Sequence, residues 1–170
     1  MNRIAQFEKV SYNEFLDAWK KIFPDDEDIK IKEIYEKIIL PYRATSGSAG
    51  YDFFSPIPFE LSSNETILMP TGVRIKIEEG WFLGIFPKSG LGFKYRFQLD
   101  NTVGIIDSDY YYSDNEGHIF VKITNDSKTQ KTLSIKESQS ICQGILLPYG
   151  ITYDDEVNDI RDGGFGSTNK

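Results

Sequence analysis

The sequence contains almost none of the residues on which cysteine or histidine chemistry depends. Cys142 is the only cysteine and His118 the only histidine among 170 residues. One chain therefore cannot form an internal disulfide, a Cys/His zinc site or a Cys-His catalytic dyad. Any catalysis must use carboxylates, hydroxyls, amides, backbone groups or a metal ion that arrives with the substrate.

The sequence also lacks long apolar runs and an excess of positive charge. No apolar run approaches the roughly 18 residues of a membrane span, and the start, "MNRIAQFEKVSYNEF", has no apolar core of a signal peptide. The formal net charge is −7, which disfavours a general nucleic-acid or anionic-membrane surface. We therefore expect a cytoplasmic protein with neither partner, and a polyanionic ligand only where Lys, Arg and backbone N–H groups cluster.

The amino-terminal part of the chain has the periodicity of helices. In "VSYNEFLDAWKKIFPDD", Ser11 and Glu14 have the spacing of a capping box, and Val10 and Phe15 that of a hydrophobic staple. Apolar residues then recur at helical spacing up to Pro24. We expect this stripe to pack on the protein's own sheet; a site for another protein is the alternative. A second helical pattern near "IKIKEIYEKI" is ambiguous with a strand.

The rest of the chain has the period of β-strands. Val73, Ile75 and Ile77 alternate with charged residues before Gly80, and "HIFVKITND" alternates in the same way. Short alternating runs broken by Gly, Pro and Asn predict an antiparallel sandwich or barrel. The predicted protein is mainly β, with these parts: a helical extension over residues 1–37, a β domain over residues 38–158 and a flexible glycine-rich arm over residues 159–170.

Two stretches of the β region have residues suited to a phosphorylated ligand. In "FPKSGLGFKY", Lys88, Ser89 and the N–H groups around Gly90 form a donor-rich turn that could surround phosphate oxygens. In "GIIDSDY", Asp107 and Asp109 lie two residues apart, hence on one face of an extended chain. A carboxylate there can act as a general base that orients a water; the alternative is an acidic pair that shapes a hairpin tip.

The closing stretch "RDGGFGST" combines a cation and a ring with almost no other side chains. Arg161 can bind phosphate through two hydrogen bonds, and Phe165 can stack on a base. Ordering about eight such residues costs roughly 8 to 16 kcal/mol of backbone entropy. These two contacts return only a few kcal/mol each. We therefore predict an arm that is mobile until a nucleotide binds.

Five stretches occur in the order of the five motifs of a known enzyme family. "AGYDFF", "PKSGLG", "NTVGIIDSDY", "ICQGILLP" and "RDGGFGST" resemble those of the trimeric dUTP pyrophosphatases (dUTPases), and they extend from Ala49 to Thr168, about seven-tenths of the chain. The resemblance implies a dUTPase-like β jelly-roll, or β-clip, that assembles as a homotrimer with active sites shared between subunits. It implies Mg²⁺-assisted attack of water on the α-phosphorus of dUTP, which yields dUMP and pyrophosphate. This reaction limits uracil in DNA and supplies dUMP for thymidylate synthesis.

The resemblance also implies roles for individual residues. Asp107 would orient and deprotonate the attacking water, while Tyr110 would lie under the deoxyribose and leave no room for a 2′-hydroxyl. Asn101 and the hairpin backbone after it would bind the uracil edge. Mg²⁺ would be held mainly by phosphates and water. The other implied site residues are Lys88, Ser89, Gly90 and Gln143 at the triphosphate, Asp52 supporting the phosphate and metal side, Arg161 at the terminal phosphate, and Phe165 over the uracil with Gly166 and Ser167 of the same motif.

The sequence departs from the family pattern in several places, among them Ser140 in the fourth motif, where the family often has arginine. Lys88 stands where most members have arginine, and the last motif is one residue short between Arg161 and its glycine pair. After Tyr110 the chain is longer than usual, and we predict that residues 111–117 form a longer hairpin, with a lid or a subunit contact as the alternative. Two other functions stay open: a dCTP deaminase of the same fold, mono- or bifunctional, and a nucleotide-responsive protein that binds a regulatory partner.

Overall fold

The computed structural model describes residues 2–158, which form short strands preceded by two helices. The strands are β1 (Ala5–Lys9), β2 (Tyr51–Phe54), β3 (Phe59–Leu61), β4 (Thr66–Pro70), β5 (Val73–Ile77), β6 (Trp81–Pro87), β7 (Phe97–Leu99), β8 (Gly104–Ile106), β9 (Phe120–Asn125), β10 (Leu133–Ile135) and β11 (Ser140–Pro148). The helices are α1 (Tyr12–Ile22), α2 (Asp28–Lys37) and α3 (Ser89–Tyr95), and a 3₁₀ helix covers Ser108–Tyr112.

The strand pairs of the described residues are antiparallel. One sheet has the order β2-β11-β6-β8 and a second the order β4-β9-β7. Two smaller pairs, β1 with β5 and β3 with β10, complete the pairing. The prediction of a mainly β, antiparallel protein is confirmed.

The alternating runs of the sequence bury the side chains that their period predicts. Val73, Ile75 and Ile77 of β5 are buried, while the lysine between them is exposed and the arginine is half-buried. In β9, Val121 and Ile123 are buried in the same way. Each such side chain contributes about 1.5 to 3 kcal/mol by leaving water, so the two strands join the same core.

The first residues of the chain are not helical, which corrects the prediction for this part of the extension. Ala5 to Lys9 form β1, which lies along β5 with Ala5 opposite Ile77 and Lys9 opposite Val73. A five-residue segment is too short to reveal its own period. Its conformation is set by the free edge of β5, whose backbone groups it satisfies.

Helix α1 begins where the capping pattern predicts. The Ser11 hydroxyl accepts a hydrogen bond from the Glu14 backbone N–H at 3.2 Å, and Phe15 and Trp19 are fully buried. The helix contacts α2 and β4, so its apolar stripe packs on the protein itself, as expected. The ambiguous segment that follows is helix α2.

We predict that Gly72→Ala strongly destabilises the fold. Gly72 has a φ of +69°, and a β-carbon there would lie 2.2 Å from Ile38 Cδ1 and 3.1 Å from a ring carbon of Phe15. The left-handed conformation costs an alanine roughly 1 to 2 kcal/mol, and forced overpacking adds about 1 to 3 kcal/mol. Urea unfolding should therefore show that the free energy of unfolding falls by about 2 to 5 kcal/mol.

The matched control for this variant is Gly80→Ala. Gly80 has a φ of +84° but open space around its β-carbon position, so only the conformational cost of roughly 1 to 2 kcal/mol applies. Equal losses of stability in the two variants would contradict the close packing of the N-terminal segment against Gly72.

Candidate active site

Three implied phosphate-site residues lie on neighbouring strands of the β2-β11-β6-β8 sheet. Gln143 of β11 is opposite Asp52 of β2 on one side and Phe86 of β6 on the other. Lys88 directly follows β6, and its Nζ lies 2.7 Å from Asp52 Oδ1. The Gln143 side-chain amide donates to the Pro87 carbonyl at 3.2 Å. The first, second and fourth motifs therefore meet within one chain.

The ion pair between Lys88 and Asp52 defines the charge of this group. The Asp52 side chain is 15% exposed and that of Lys88 31%, so the lysine head remains in reach of a ligand. An ammonium group has three donors, and one of them is used by Asp52. Ser89 and Gly90 are exposed at the start of α3, and a β-carbon at Gly90 would meet nothing within 4 Å. The backbone at this turn is thus open to an incoming group.

A cavity of about 430 Å³ lies between β8 and β9. This volume is in the range of small-molecule sites. Asn101 and the β8 backbone form one side of it, and the Asn101 amide nitrogen lies 3.8 Å from the β-carbon position of Gly104. The other lining residues are mostly apolar: Leu68, Ile85, Leu99, Asp100, Ile105, Ile106, Phe120, Val121 and Lys122.

The charged residues at this cavity neutralise each other. Lys122 Nζ lies 3.0 Å from Asp100 Oδ2, and the Thr124 hydroxyl donates to Asp100 Oδ1. The Thr124 hydrogen bond, with help from Lys122 and against the effect of burial, holds the pKa of Asp100 below its usual value. The ionised Asp100 offsets the lysine charge, so the cavity suits a neutral polar ring better than a phosphate.

Asp107 immediately follows β8, whose last residue, Ile106, lines the cavity. Asp107 is half-buried and lines a hollow of about 580 Å³ together with Asp109, Tyr112 and Tyr149. The two carboxylates share this hollow, but not as neighbours on an extended strand. The chain enters the 3₁₀ helix at Ser108, which corrects the predicted backbone conformation.

Tyr110 is held firmly by the segment that follows it. Its ring is 4% exposed; its hydroxyl donates to the His118 carbonyl at 2.8 Å and accepts from Asn115 Nδ2 at 2.8 Å. A β-carbon at Gly117 would lie 2.7 Å from the Tyr110 carbonyl oxygen. The loop therefore closes over Tyr110 and fixes its ring.

Residues 111–117 are not the longer hairpin that the sequence predicts. In the described chain, β8 pairs with β6, whereas β9 pairs with β4 and β7. The loop therefore connects two sheets, and the cavity occupies the space where the two strands of a hairpin would pair.

The register of β6 separates Asp107 from the phosphate group of residues. Leu83 is opposite Ile106, so Asp107 lies level with the start of β6, while Lys88 follows its end. The six residue steps from Phe82, level with Asp107, to Lys88 span on the order of 20 Å at about 3.3 Å per step. A triphosphate is shorter than this, because one bridging oxygen joins each pair of phosphorus atoms. One chain therefore brings together two partial sites.

The remaining implied residues, Arg161, Phe165, Gly166 and Ser167, lie outside the described residues, and their roles stay predictions. Within residues 2–158, no group of three or more His, Cys, Asp or Glu side chains is placed to hold a metal ion. No helix in this range is long and apolar enough to cross a membrane.

The walls of the cavity are not apparent from the sequence. Strand alternation assigned Val121 to the core and left Phe120 and Lys122 on the polar side of β9. All three line the cavity. Single apolar side chains on a protein surface are common, so Phe120 on the polar side of β9 did not by itself indicate a cavity.

Comparison with known proteins gives consistent matches over most of the chain. The family model described as dUTPase matches residues 36–169. The deoxyuridine 5′-triphosphate nucleotidohydrolase of Lactococcus lactis is 36% identical over 134 residues, which are 77% of this chain and 88% of that protein. The enzyme of the same name from Paraburkholderia xenovorans is 36% identical over 151 residues, 84% of this chain and 97% of that protein.

The chain belongs to the dUTPase family. The dUTPase of Streptococcus mutans superposes with a TM-score of 0.62 at 28% identity and covers 86% of this chain and 97% of its own. A variant of the dUTPase of phage phi11 of Staphylococcus aureus, in which a structural Mg(II) ion is coordinated, has a TM-score of 0.63 at 19% identity, with 92% and 98% covered. The protein thus has a dUTPase-like fold with N-terminal helices. Strand β1, helix α1 and most of α2 precede the part that matches the family model.

Proposed function

We propose that this chain is a dUTP diphosphatase that acts as a homotrimer and hydrolyses dUTP to dUMP and pyrophosphate. The observation that carries the proposal is the position of Asp107 directly after β8. The residues of this strand line the cavity together with Asn101, and Asp107, the next residue, lines a second hollow. A base bound in the cavity thus places the rest of the nucleotide toward a general base.

The cavity binds uracil through Asn101 and the backbone of β8. Backbone N–H and C=O groups on one short strand can pair with the donor and acceptor pattern of one base edge. A pocket that hydrogen-bonds one pattern leaves its buried groups unpaired with the wrong base, which typically costs about 10⁴ in specificity. Tyr110 then lies under the sugar, where its fixed ring leaves no room for a 2′-hydroxyl.

Asp107 supplies the proton acceptor for the reaction. It accepts a proton from a water molecule whose oxygen forms the new bond to the α-phosphorus, while the bond from that phosphorus to the bridging oxygen breaks and pyrophosphate leaves. Positioning of the water and neutralisation of the phosphates are the main requirements for such a transfer. Neither requires histidine or cysteine.

The triphosphate is held by Lys88, Ser89, Gly90 and Gln143 of a neighbouring subunit. The distance between these residues and Asp107 of the same chain, measured along β6, supports their assignment to a different subunit. The surface beside them also suits a subunit contact, since Phe93 of α3 is 93% exposed in the single chain and such rings are enriched at interfaces. Asp52 supports this group by orienting the lysine head.

The residues of this site fit a magnesium ion that is held mainly by the substrate phosphates and by water. Among the described residues, Asp52 is already paired with Lys88, and no cluster of three ligands exists. Mg²⁺ usually keeps several waters and binds substrate phosphates with one or two carboxylates. When bound, it neutralises charge on the phosphates. Arg161 at the terminal phosphate and Phe165 over the uracil, with Gly166 and Ser167, complete the proposed site.

The proposal is tested with dUTP, dCTP, dTTP and UTP, each with Mg²⁺, by following pyrophosphate release. We expect selective turnover of dUTP. Equal turnover of all four nucleotides would contradict the proposed pocket. Release of ammonia from dCTP would indicate the deaminase instead, and tight binding of dUTP without turnover would indicate the nucleotide-responsive binding protein.

A further inference from the structure

Three residues of the N-terminal segment contact the loop that closes over Tyr110, or contact His118, the residue directly after this loop. We call Glu8, Ser11 and Glu14 the N-terminal brace. Glu8 accepts a hydrogen bond from the Tyr111 hydroxyl at 2.8 Å. The Ser11 backbone N–H and hydroxyl donate to the two carboxylate oxygens of Glu116 at 2.7 and 2.6 Å. Glu14 Oε1 lies 3.2 Å from His118 Nδ1.

The brace uses helix-capping groups that normally serve the helix alone. In a capping box, the carboxylate of the third helical residue returns to the N–H of the capping residue. Here the Ser11 N–H donates to Glu116, which is 105 positions away, and the Glu14 carboxylate contacts His118. The capping residues of α1 thus form hydrogen bonds with the loop region, and the same bonds anchor that region to the helix N-terminus.

Glu116 holds a backbone conformation that its own residue type disfavours. Its φ is +56°, a left-handed conformation that crowds any residue with a β-carbon. Burial raises the pKa of the Glu116 carboxyl, but the two Ser11 hydrogen bonds and the nearby Arg74 outweigh that effect and hold the pKa below its usual value. The ionised carboxylate therefore keeps both bonds to Ser11, and these bonds hold the turn.

His118 connects the N-terminal brace to Tyr110 and to the cavity. Its Nε2 accepts from the Gly72 backbone N–H at 2.9 Å, so the proton of a neutral ring lies on Nδ1 and is donated to Glu14. Its carbonyl accepts from the Tyr110 hydroxyl. Its ring centroid lies 4.4 Å from that of Phe120, which lines the cavity.

We propose that the N-terminal brace positions Tyr110 and so acts as a specificity determinant for the 2′-deoxyribose. The inference rests on the role of Tyr110 in the proposed function. The brace residues do not touch the substrate and are positioning residues. They precede residue 36, where the match to the family model begins, so this device is supplied by the segment in front of that match.

The test is the variant Glu116→Gly, compared with Gln130→Gly. Glycine suits the φ of +56° at position 116 and the φ of +53° at position 130, so neither backbone should be strained. Gln130 is exposed and lies outside the brace. The readout is the ratio of kcat/KM for dUTP to that for UTP.

We expect the ratio to fall about tenfold or more in Glu116→Gly, because charge-assisted hydrogen bonds of this kind hold the loop over Tyr110, and to stay unchanged in Gln130→Gly. Glu116→Gln keeps one acceptor oxygen and should retain an intermediate ratio. A selective wild-type protein with an equally selective Glu116→Gly variant overturns the role of the brace alone. A wild-type protein that hydrolyses both nucleotides equally, or neither, overturns the proposed function and this role with it.

A second measurement reports on the brace without any catalysis. Because His118 is the only histidine, a protein labelled with ¹⁵N-histidine gives the signals of one imidazole ring. We expect a protonated Nδ1 and an unprotonated Nε2 in the wild-type protein, and altered signals in Glu116→Gly but not in Gln130→Gly. A wild-type ring protonated on Nε2, or signals unchanged in Glu116→Gly, would overturn the coupling of the loop to His118.

Discussion

Replacing Asp107 with asparagine should lower kcat for dUTP about 10² to 10⁴-fold, the usual contribution of a general base. Asparagine has nearly the same shape but cannot accept the proton of the attacking water. Because the carboxylate acts mainly on the water, KM should change little, as for a group used only in the transition state. Pyrophosphate release under saturating dUTP and Mg²⁺ measures the effect.

Asp109→Asn is the matched control for this prediction. Asp109 lines the same hollow, and its replacement by asparagine alters the same atoms and the same charge as Asp107→Asn does. The proposed mechanism assigns no role to Asp109. We expect near wild-type turnover. An Asp107→Asn enzyme that keeps most of its activity, or an equal loss in both variants, would contradict the assignment of the general base.

Two inactive variants should restore activity when their chains are mixed. One variant is Asp107→Asn; the other carries Lys88→Ala and Ser89→Ala. If each site takes Asp107 from one subunit and the phosphate group of residues from another, a mixed trimer contains some sites with neither defect. For random assembly from equal amounts, about a quarter of the sites are intact, because each of two independent contributions is intact in about half of them.

The measurement is dUTP hydrolysis after the two proteins are unfolded together and refolded, alongside each protein treated alone. Mixing Asp107→Asn with wild-type chains is the control and should leave about half of the sites intact. A mixture no more active than its separate components would contradict the shared site. Light scattering on the same samples should report three chains per particle.

Local sequence patterns were sufficient to predict strands β5 and β9 and the first helix. The period of two in "GVRIKI" identified the buried face of β5, and the spacing of Ser11 and Glu14 located the start of α1. Both depend on residues that are close in sequence, since burial selects a side of the strand and a cap satisfies the next turn. The five motifs likewise predicted the family, now supported by the match over residues 36–169.

Contacts between distant residues were beyond these patterns. Strand β1 forms because it pairs with the edge of β5. The two strands are distant in sequence, so the local pattern that predicted a helical extension over residues 1–37 could not reveal this pairing. Asp107 and Asp109 looked like neighbours on a strand, but the chain turns into a 3₁₀ helix that packs Tyr110 inward. The alternation of β9 could not indicate that Phe120 faces a cavity.

By itself, the sequence determined the chemistry available to this protein: carboxylates, one donor-rich turn and the five motifs in order, with almost no histidine or cysteine. Only the tertiary structure decided how these groups are divided between the two ends of β6. It pairs Lys88 with Asp52 at one end of β6, leaves Asp107 at the other, and joins Ser11 to Glu116 across 105 positions. The reason is physical: residue types and spacing limit what each segment can do, whereas distances across a fold depend on strand register and packing.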